Sequence, residues 1–209
     1  TISGNGAITF GGTVFSYWHG QVVADALTLG AGQTMTTSYG SQGAVQSLSL
    51  TNQGTIEARG SGSLLTLYCN AANTGTLRAA AGGSLALNGQ NGAFAIENAG
   101  GILRAEAGSS LSLDYGIEVR GGRLEGPAGI YFTQAKLNGT TNPVESAPGG
   151  VLATNSGGLQ VRGTITNNGR IILAHTGASG LSWVLAGQTM TIGGAGVIEF
   201  ATNAGASAN

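Results

Sequence analysis

The amino-acid sequence predicts an all-β fold: a single-stranded, right-handed parallel β-helix, or β-solenoid. Two motifs recur in step at spacings of 21 to 26 residues, and such periods are typical of a solenoid whose coils stabilise their neighbours. Glycine interrupts the chain too often for long helices. We therefore expect about nine stacked coils. The first motif occupies residues 52–58, 73–79 and 98–105, and the second occupies residues 63–67, 84–87 and 110–113.

The composition agrees with short strands and tight turns. Glycine supplies 39 of the 209 residues and charged residues only 8%, but the glycines follow no three-residue period, which excludes a collagen-like chain. An apolar content of 41% is too high for simple disorder. We expect one elongated domain over residues 1–200, with a rhythm-breaking loop near 138–150 and a polar tail at 201–209.

Each coil is predicted to run as strand, turn, strand, turn. In residues 54–58, alternation places Ile56 and Ala58 on one face of a strand and Glu57 on the other. Leu65 and Leu67 alternate in the same way in the next strand. Stacking the coils would align the inward residues as aliphatic ladders. One predicted ladder holds Ile56, Leu77, Leu103 and Leu124, and the second holds Leu67, Leu87 and Leu113.

Asparagine recurs just before the corner glycines. Asparagine tolerates the left-handed conformation of a sharp corner, and its amide can bond the amide one coil away. We expect Asn52, Asn73 and Asn98 to form such a ladder, with Asn168 starting the same corner later. These residues are interpreted as structural.

The net charge and the short apolar runs of the chain exclude several classes of partner. The net charge is −1, and without a basic stripe the chain is not expected to bind nucleic acid. No apolar run is long enough for a membrane span, so membrane insertion is not expected either. His19 and His175 lack neighbouring ligands at metal spacing, so we expect no metal and no cofactor. Cys69 is the only cysteine and is predicted to point inward as a buried apolar residue.

The best candidate for catalysis is a pair of carboxylates. Glu97 and Glu118 lie 21 residues apart, so they would stand side by side on adjacent coils at about 5 Å, as in a retaining glycosidase. The alternative interpretation is a solvated wall on which Arg120 relieves the repulsion, and we prefer it. The outward charges at a second position are also interpreted as solvated surface charges that form no functional site. They are Glu57, Arg78, Arg104 and Glu125.

The densest aromatic stretch is residues 15–19. If it is exposed, Tyr17 and Trp18 would stack on sugars or dock a partner; if it is buried, it fills or caps one end of the rod. Packing is the preferred interpretation.

The repeat phrases resemble those of large bacterial β-strand-repeat surface proteins, similar to autotransporter passengers and filamentous-haemagglutinin-type adhesins. The likeness runs from about residue 31 to 200 and rests on AGQTMT, NQGTIEA, NTGTLRAAAGGSLALNG, NAGGILRAEAGSSLSL and TITNNGRIIL. The resemblance implies an exported parallel β-helix, extracellular or on the cell surface. Because the chain starts at Thr1, we expect a mature or excised segment.

The two ends of the chain resemble each other. Residues 2–10 match residues 192–200 at five of nine positions, and neither end shows an obvious cap over its strand edges. We expect head-to-tail contact with another copy or with neighbouring repeats. The functional hypothesis is a non-enzymatic structural or adhesive segment that contacts itself and also a surface glycan, host or substratum. The alternative is a polysaccharide-acting enzyme or a tailspike-like glycan-binding protein that uses the outward carboxylates.

Overall fold

The computed structural model describes residues 4–10, 21–90, 92, 94–174 and 184–201. These residues form strands and turns without any helix. The first nine strands are β1 (Gly6–Phe10), β2 (Gln21–Leu29), β3 (Gln33–Thr37), β4 (Gln42–Asn52), β5 (Thr55–Arg59), β6 (Leu64–Asn73), β7 (Thr76–Ala80), β8 (Ser84–Asn88) and β9 (Ala95–Glu97). The others are β10 (Ile102–Ala105), β11 (Ser110–Asp114), β12 (Glu118–Arg120), β13 (Gly122–Glu125), β14 (Ile130–Ser146), β15 (Val151–Asn167), β16 (Arg170–Ala174), β17 (Val184–Gly193) and β18 (Val197–Ala201).

The strands stack into three walls, which each coil follows in turn. Wall A contains β1, β3, β5, β7, β10 and β13, then the last residues of β14, β15 and β17. Wall B contains the first residues of β2, β4 and β6, then β8, β11, the first residues of β14 and β15, and finally β16 and β18. Wall C contains the last residues of β2, β4 and β6, then β9, β12, the middle of β14 and β15, and the first residues of β17.

The predicted parallel β-solenoid is confirmed. Every strand pairing is parallel, and each strand pairs with one from the coil before or after it. The number of nine coils and the right-handed winding stay predictions.

Aliphatic ladders fill the interior between the walls. Ile56, Leu77, Leu103 and Leu124 are in register on wall A and are each 0% exposed. On wall B, Leu67, Leu87 and Leu113 stack in the same way and continue to Phe132. Burying each of these side chains stabilises the fold by about 1.5–3 kcal/mol.

The predicted asparagine ladder is present over three coils. Asn52 Nδ2 donates to Asn73 Oδ1 at 2.7 Å, and Asn73 Nδ2 donates to Asn98 Oδ1 at 2.7 Å. All three side chains are buried at the corner that leads into wall A. At the top of this ladder, Asn98 Nδ2 donates to the carbonyl oxygens of Gly101 and Gly121 at 3.3 and 3.4 Å.

The assignment of Asn168 to this corner was wrong. The buried asparagine of that segment is Asn167, which is in register with Ser146 and through it with Leu124, on the far side of wall A. Asn168 is half-buried, and its Oδ1 accepts a hydrogen bond from the amide of Ala195 at 3.4 Å. The same Asn-Gly chemistry therefore serves two different corners of the solenoid.

Glycine is required where the corners of successive coils approach each other. A Cβ atom placed on Gly75 would lie 2.1 Å from the carbonyl oxygen of Gly54 in the coil below. Gly54 meets the carbonyl oxygen of Gln33 at 2.3 Å in the same way. These close contacts let the backbones stack without a side chain between them.

The coils towards the C-terminal end are less regular than those before them. β14 and β15 are each 17 residues long, and each continues around a corner of the solenoid as one strand. Their register breaks between Gly139 and Val144, and the four residues 140–143 between them are exposed. Ala201 is the last residue of β18, and the rest of the predicted tail lies outside the described residues. The described residues include no helix of the length and hydrophobicity needed to cross a bilayer.

Candidate functional site

A shallow groove lies on wall C at the two candidate glutamates. It has a volume of about 360 Å³ and crosses the last residues of β4 and β6 before it reaches β9 and β12. The outward side chains of these strands line it because inward and outward residues alternate. The polar and charged lining residues are Ser49, Thr51, Asn70, Glu97, Glu118 and Arg120, and Phe94 is the aromatic one.

The predicted side-by-side pairing of the glutamates was wrong. In register, Glu97 lies opposite Arg120, and Glu118 lies opposite Ala95. The inward partner of Ile96 is accordingly Val119, 23 residues on. Ile117 is also buried, but it precedes β12. The two carboxylates are therefore offset by two residues along the wall.

Arg120 joins the two carboxylates. Its Nη1 donates to Glu97 Oε1 at 2.5 Å, while its Nε and Nη2 donate to the two carboxylate oxygens of Glu118 at 3.1 and 3.3 Å. These bonds with the glutamates raise the pKa of Arg120 further above its ordinary value. This arrangement agrees with the interpretation that Arg120 relieves the repulsion between the carboxylates.

Glu118 is the most strongly perturbed carboxyl of the site. Partial burial alone would raise its pKa, but hydrogen bonds from Arg120, Asn138 and Arg162, with the charge of Arg120, lower the pKa to about 2. Asn138 Nδ2 donates to Glu118 Oε1 at 2.6 Å, and Arg162 Nη2 donates to the same oxygen. A carboxylate that is ionised at neutral pH cannot act as the general acid of a glycosidase.

Sequence reasoning missed Asn138 and Arg162 as partners of Glu118. They lie 20 and 44 residues further along the chain, close to one and two coil lengths, so the repeat spacing was the signal that would have found them. Asn138 is 8% exposed, and its Oδ1 accepts hydrogen bonds from the amide and hydroxyl of Thr140. The side chain is thus fully engaged inside the wall.

A second depression adjoins the first at the corner between walls B and C. It has a volume of about 630 Å³ and shares Phe94 with the groove. Gln46 and Tyr68 are register partners on adjacent coils, and both are half-buried. The other lining residues are Ala24, Asp25, Ser47 and Gln90.

The row of outward charges predicted on wall A is present. Glu57, Arg78, Arg104 and Glu125 are successive register partners. Arg78 Nη2 lies 2.6 Å from Glu57 Oε2, and Arg104 Nη1 lies 3.3 Å from Glu125 Oε2. Glu106 contacts both arginines at 3.6 and 3.8 Å, which relieves their mutual repulsion.

The remaining candidates contribute no site to the described part of the chain. Cys69 is buried, and burial raises the pKa of its thiol to about 12, so the thiolate that reacts or binds metal is not formed at neutral pH. Among the described residues, no three side chains of His, Cys, Asp or Glu are grouped to hold a metal ion. The aromatic candidates Tyr17 and Trp18, and both histidines, lie outside the described residues.

No known protein family, no curated protein and no solved structure matches this chain in the comparisons with known proteins. The β-solenoid fold therefore rests on this structure, and the resemblance to bacterial β-strand-repeat surface proteins rests on the repeat phrases alone.

Proposed function

We propose that this chain is a non-enzymatic structural segment of a secreted bacterial surface protein, stacked head to tail with further copies or repeats. The observation that carries the proposal is the open end of the core at β18. Ile198 and Phe200 are register partners of the buried Ile171 and Leu173, so they continue the inward rows of wall B. They are nevertheless 41% and 83% exposed.

An open core end favours a partner with the same cross-section. No described strand follows β18 on wall B, so its outer edge presents unpaired backbone groups beside the exposed apolar side chains. Another copy of the chain would supply a strand that pairs with the edge of β18 and apolar side chains that cover Ile198 and Phe200. Such a heterologous contact does not close and would propagate along the rod axis.

The similarity between the two chain ends does not define this contact. β1 pairs with β3 on wall A, whereas β18 pairs with β16 on wall B, so the similar segments occupy different walls. The idea that the first coil substitutes directly for the last is therefore not supported. The proposal depends instead on the uncovered rows that end at Ile198 and Phe200.

Sedimentation and electron microscopy across a wide concentration range test the stacking. We expect end-to-end oligomers or filaments that become rarer in Phe200→Lys. Tyr39→Lys is the matched control because Tyr39 is 78% exposed on the side of the rod. A wild-type chain that stays monomeric at every concentration would contradict stacking between separate chains. Filaments unaffected by Phe200→Lys would contradict the assigned end.

The groove at Glu97 and Glu118 favours one alternative, a polysaccharide-acting enzyme. The two carboxylates are offset along the wall and both are bonded to Arg120, which argues against it. The low pKa of Glu118 excludes this residue as the general acid but not as a nucleophile. Reducing-end assays on a saccharide panel decide between the two functions. Cleavage that disappears in Glu118→Gln would overturn the non-enzymatic proposal, and we expect no cleavage by either protein.

A further inference from the structure

The two adjoining depressions form one continuous track along the rod. Asp25 lies on β2, Gln46 on β4, Tyr68 on β6, Phe94 directly before β9, and Arg120 on β12. Successive coils contribute these residues, so the track crosses four inter-strand spacings, or roughly 19 Å. It runs parallel to the rod axis on the corner between walls B and C and continues onto wall C.

The track offers neutral hydrogen-bonding groups around two aromatic rings. Gln46 and Tyr68 are half-buried, and Asn70 and Gln90 are exposed. Asn70 Oδ1 accepts a hydrogen bond from the amide of Ala95 at 3.0 Å, which fixes the side-chain amide at the edge of the groove. Amides and phenols both donate and accept hydrogen bonds, so they can pair with a hydroxyl group whether it acts as donor or as acceptor.

The charges along the track cancel among themselves. Among the described residues that line it, Asp25, Glu97 and Glu118 are the carboxylates and Arg120 is the cation. Two further cations adjoin it: Arg162 bonds Glu118, and the Lys136 ammonium lies 3.5 Å from the position of a Cβ on Gly92. Arg120 is already shared between Glu97 and Glu118. An anionic ligand would therefore have to compete with these carboxylates for the guanidinium.

We propose that this track binds a neutral polysaccharide lying along the rod axis. Partly exposed Tyr68 and Phe94 would stack against sugar rings, whose C–H bonds suit the negative face of an aromatic ring. Gln46, Asn70 and Gln90 would bond the hydroxyl groups. The inference goes beyond the stacking proposal and does not depend on it, because the track lies on the side of the rod and stays open when the ends are covered.

Affinity gel electrophoresis of the full chain tests the proposal with soluble neutral glucan, mannan and galactan, and with alginate as an anionic polymer. We expect retardation by at least one neutral polymer, no comparable retardation by alginate, and a roughly tenfold or greater loss of affinity in Tyr68→Ala, equivalent to about 1.4 kcal/mol. Tyr39→Ala is the matched control, because it removes an exposed tyrosine outside the track.

Asn70→Ala provides a second variant with a small cost to the fold, because Asn70 is exposed and the hydrogen bond that it accepts from the Ala95 amide lies at the surface. We expect it to weaken binding without changing the circular dichroism spectrum. The proposal is overturned if no neutral polymer retards the wild-type chain, if alginate binds as well as the neutral polymers, or if Tyr68→Ala and Asn70→Ala both fold and bind like wild type. Repeating the assay in Phe200→Lys separates the two proposals, since loss of stacking should leave polysaccharide binding intact.

Discussion

At the residue scale, the buried asparagines act through hydrogen bonds between coils. The left-handed backbone conformation predicted for them was wrong, because Asn52, Asn73 and Asn98 do not have positive φ angles. Asn73 is 0% exposed and links the amides of Asn52 and Asn98 across three coils. The low polarity of the interior makes each of these bonds costly to lose, because the group left behind cannot reach water. The ladder therefore holds the coils in register at one corner, where aliphatic side chains would supply no directional contact.

Asn73→Ala should destabilise the fold by about 1–3 kcal/mol, because Asn98 Oδ1 loses its donor. Asn52 Nδ2 keeps a weaker bond of 3.3 Å to the carbonyl oxygen of Thr76. Urea unfolding measures the difference. Asn168→Ala is the matched control, and its effect should stay below about 1 kcal/mol because Asn168 is half-buried. Equal effects of the two substitutions would contradict the ladder assignment.

Glu118 gives the fold a dependence on pH. Its pKa in the folded chain is about 2, below the ordinary 4.5, so the folded state favours the ionised form. The resulting stabilisation is present above about pH 4.5 and disappears as the pH falls through about 2. Glu118→Gln should therefore cost about 1–2 kcal/mol at neutral pH, after allowance for solvent screening.

Denaturant unfolding of wild type and Glu118→Gln at several pH values checks this prediction. The difference in free energy of unfolding should shrink steadily from pH 4.5 towards pH 2. Glu97→Gln is the control, because the Glu97 side chain is 56% exposed and receives one bond from Arg120. A difference for Glu118→Gln that is independent of pH would show that the carboxylate is not held by its three donors.

At the element scale, each turn must keep the coils within strand-pairing distance. Glycine meets that need at the entrance to wall A, where Gly75 sits against the Gly54 carbonyl. Gly75→Ala places a Cβ atom 2.1 Å from that oxygen, a contact that forces the backbones apart. We expect a loss of about 1–3 kcal/mol or more in thermal or urea unfolding. Gly193→Ala is the control, since nothing lies within 4 Å of its Cβ position, and it should have little effect.

The elements also show which features the sequence predicts well. The inward ladders were predictable because alternation within each strand identifies the buried residues, whatever the length of the turns. The pairing of Glu97 with Glu118 was not predictable from one period, because neighbouring coils differ in spacing from wall to wall. Leu87 to Leu113 spans 26 residues, Ile96 to Val119 spans 23, and Leu103 to Leu124 spans 21.

Turn insertions explain this variation. They change the chain length of one wall or corner without disturbing the stacking of the others, so a motif spacing found on one wall does not transfer to the next. The wrong prediction for Asn168 has a related cause. An asparagine followed by glycine fits the corner at either end of wall A, and the local sequence does not distinguish the two corners. The track beside Tyr68 and Phe94 was not predicted, since it exists only after five coils are stacked.

At the scale of the whole molecule, each coil contacts only its neighbours, so stability should vary along the rod. Central strands such as β8 are paired on both edges, by β6 and β11, and their leucines are fully covered. β18 is paired with β16 alone within the described chain, and Ile198 and Phe200 remain exposed. An exposed ion pair joins these two strands, with Arg170 Nη2 2.6 Å from Glu199 Oε2, but such pairs add little stability.

Hydrogen exchange measured by mass spectrometry should reveal this gradient and its dependence on stacking. In dilute solution, amides of β18 should exchange more than about tenfold faster than those of β8, a difference above about 1.4 kcal/mol in opening free energy. Raising the protein concentration should slow exchange in β18 and leave β8 unchanged, because a second copy would cover the strand edge. In Phe200→Lys, the same rise in concentration should have no effect. Protection of β18 equal to that of β8 in dilute, monomeric protein would instead mean that the chain closes its own end, and the driving force for head-to-tail contact would be absent.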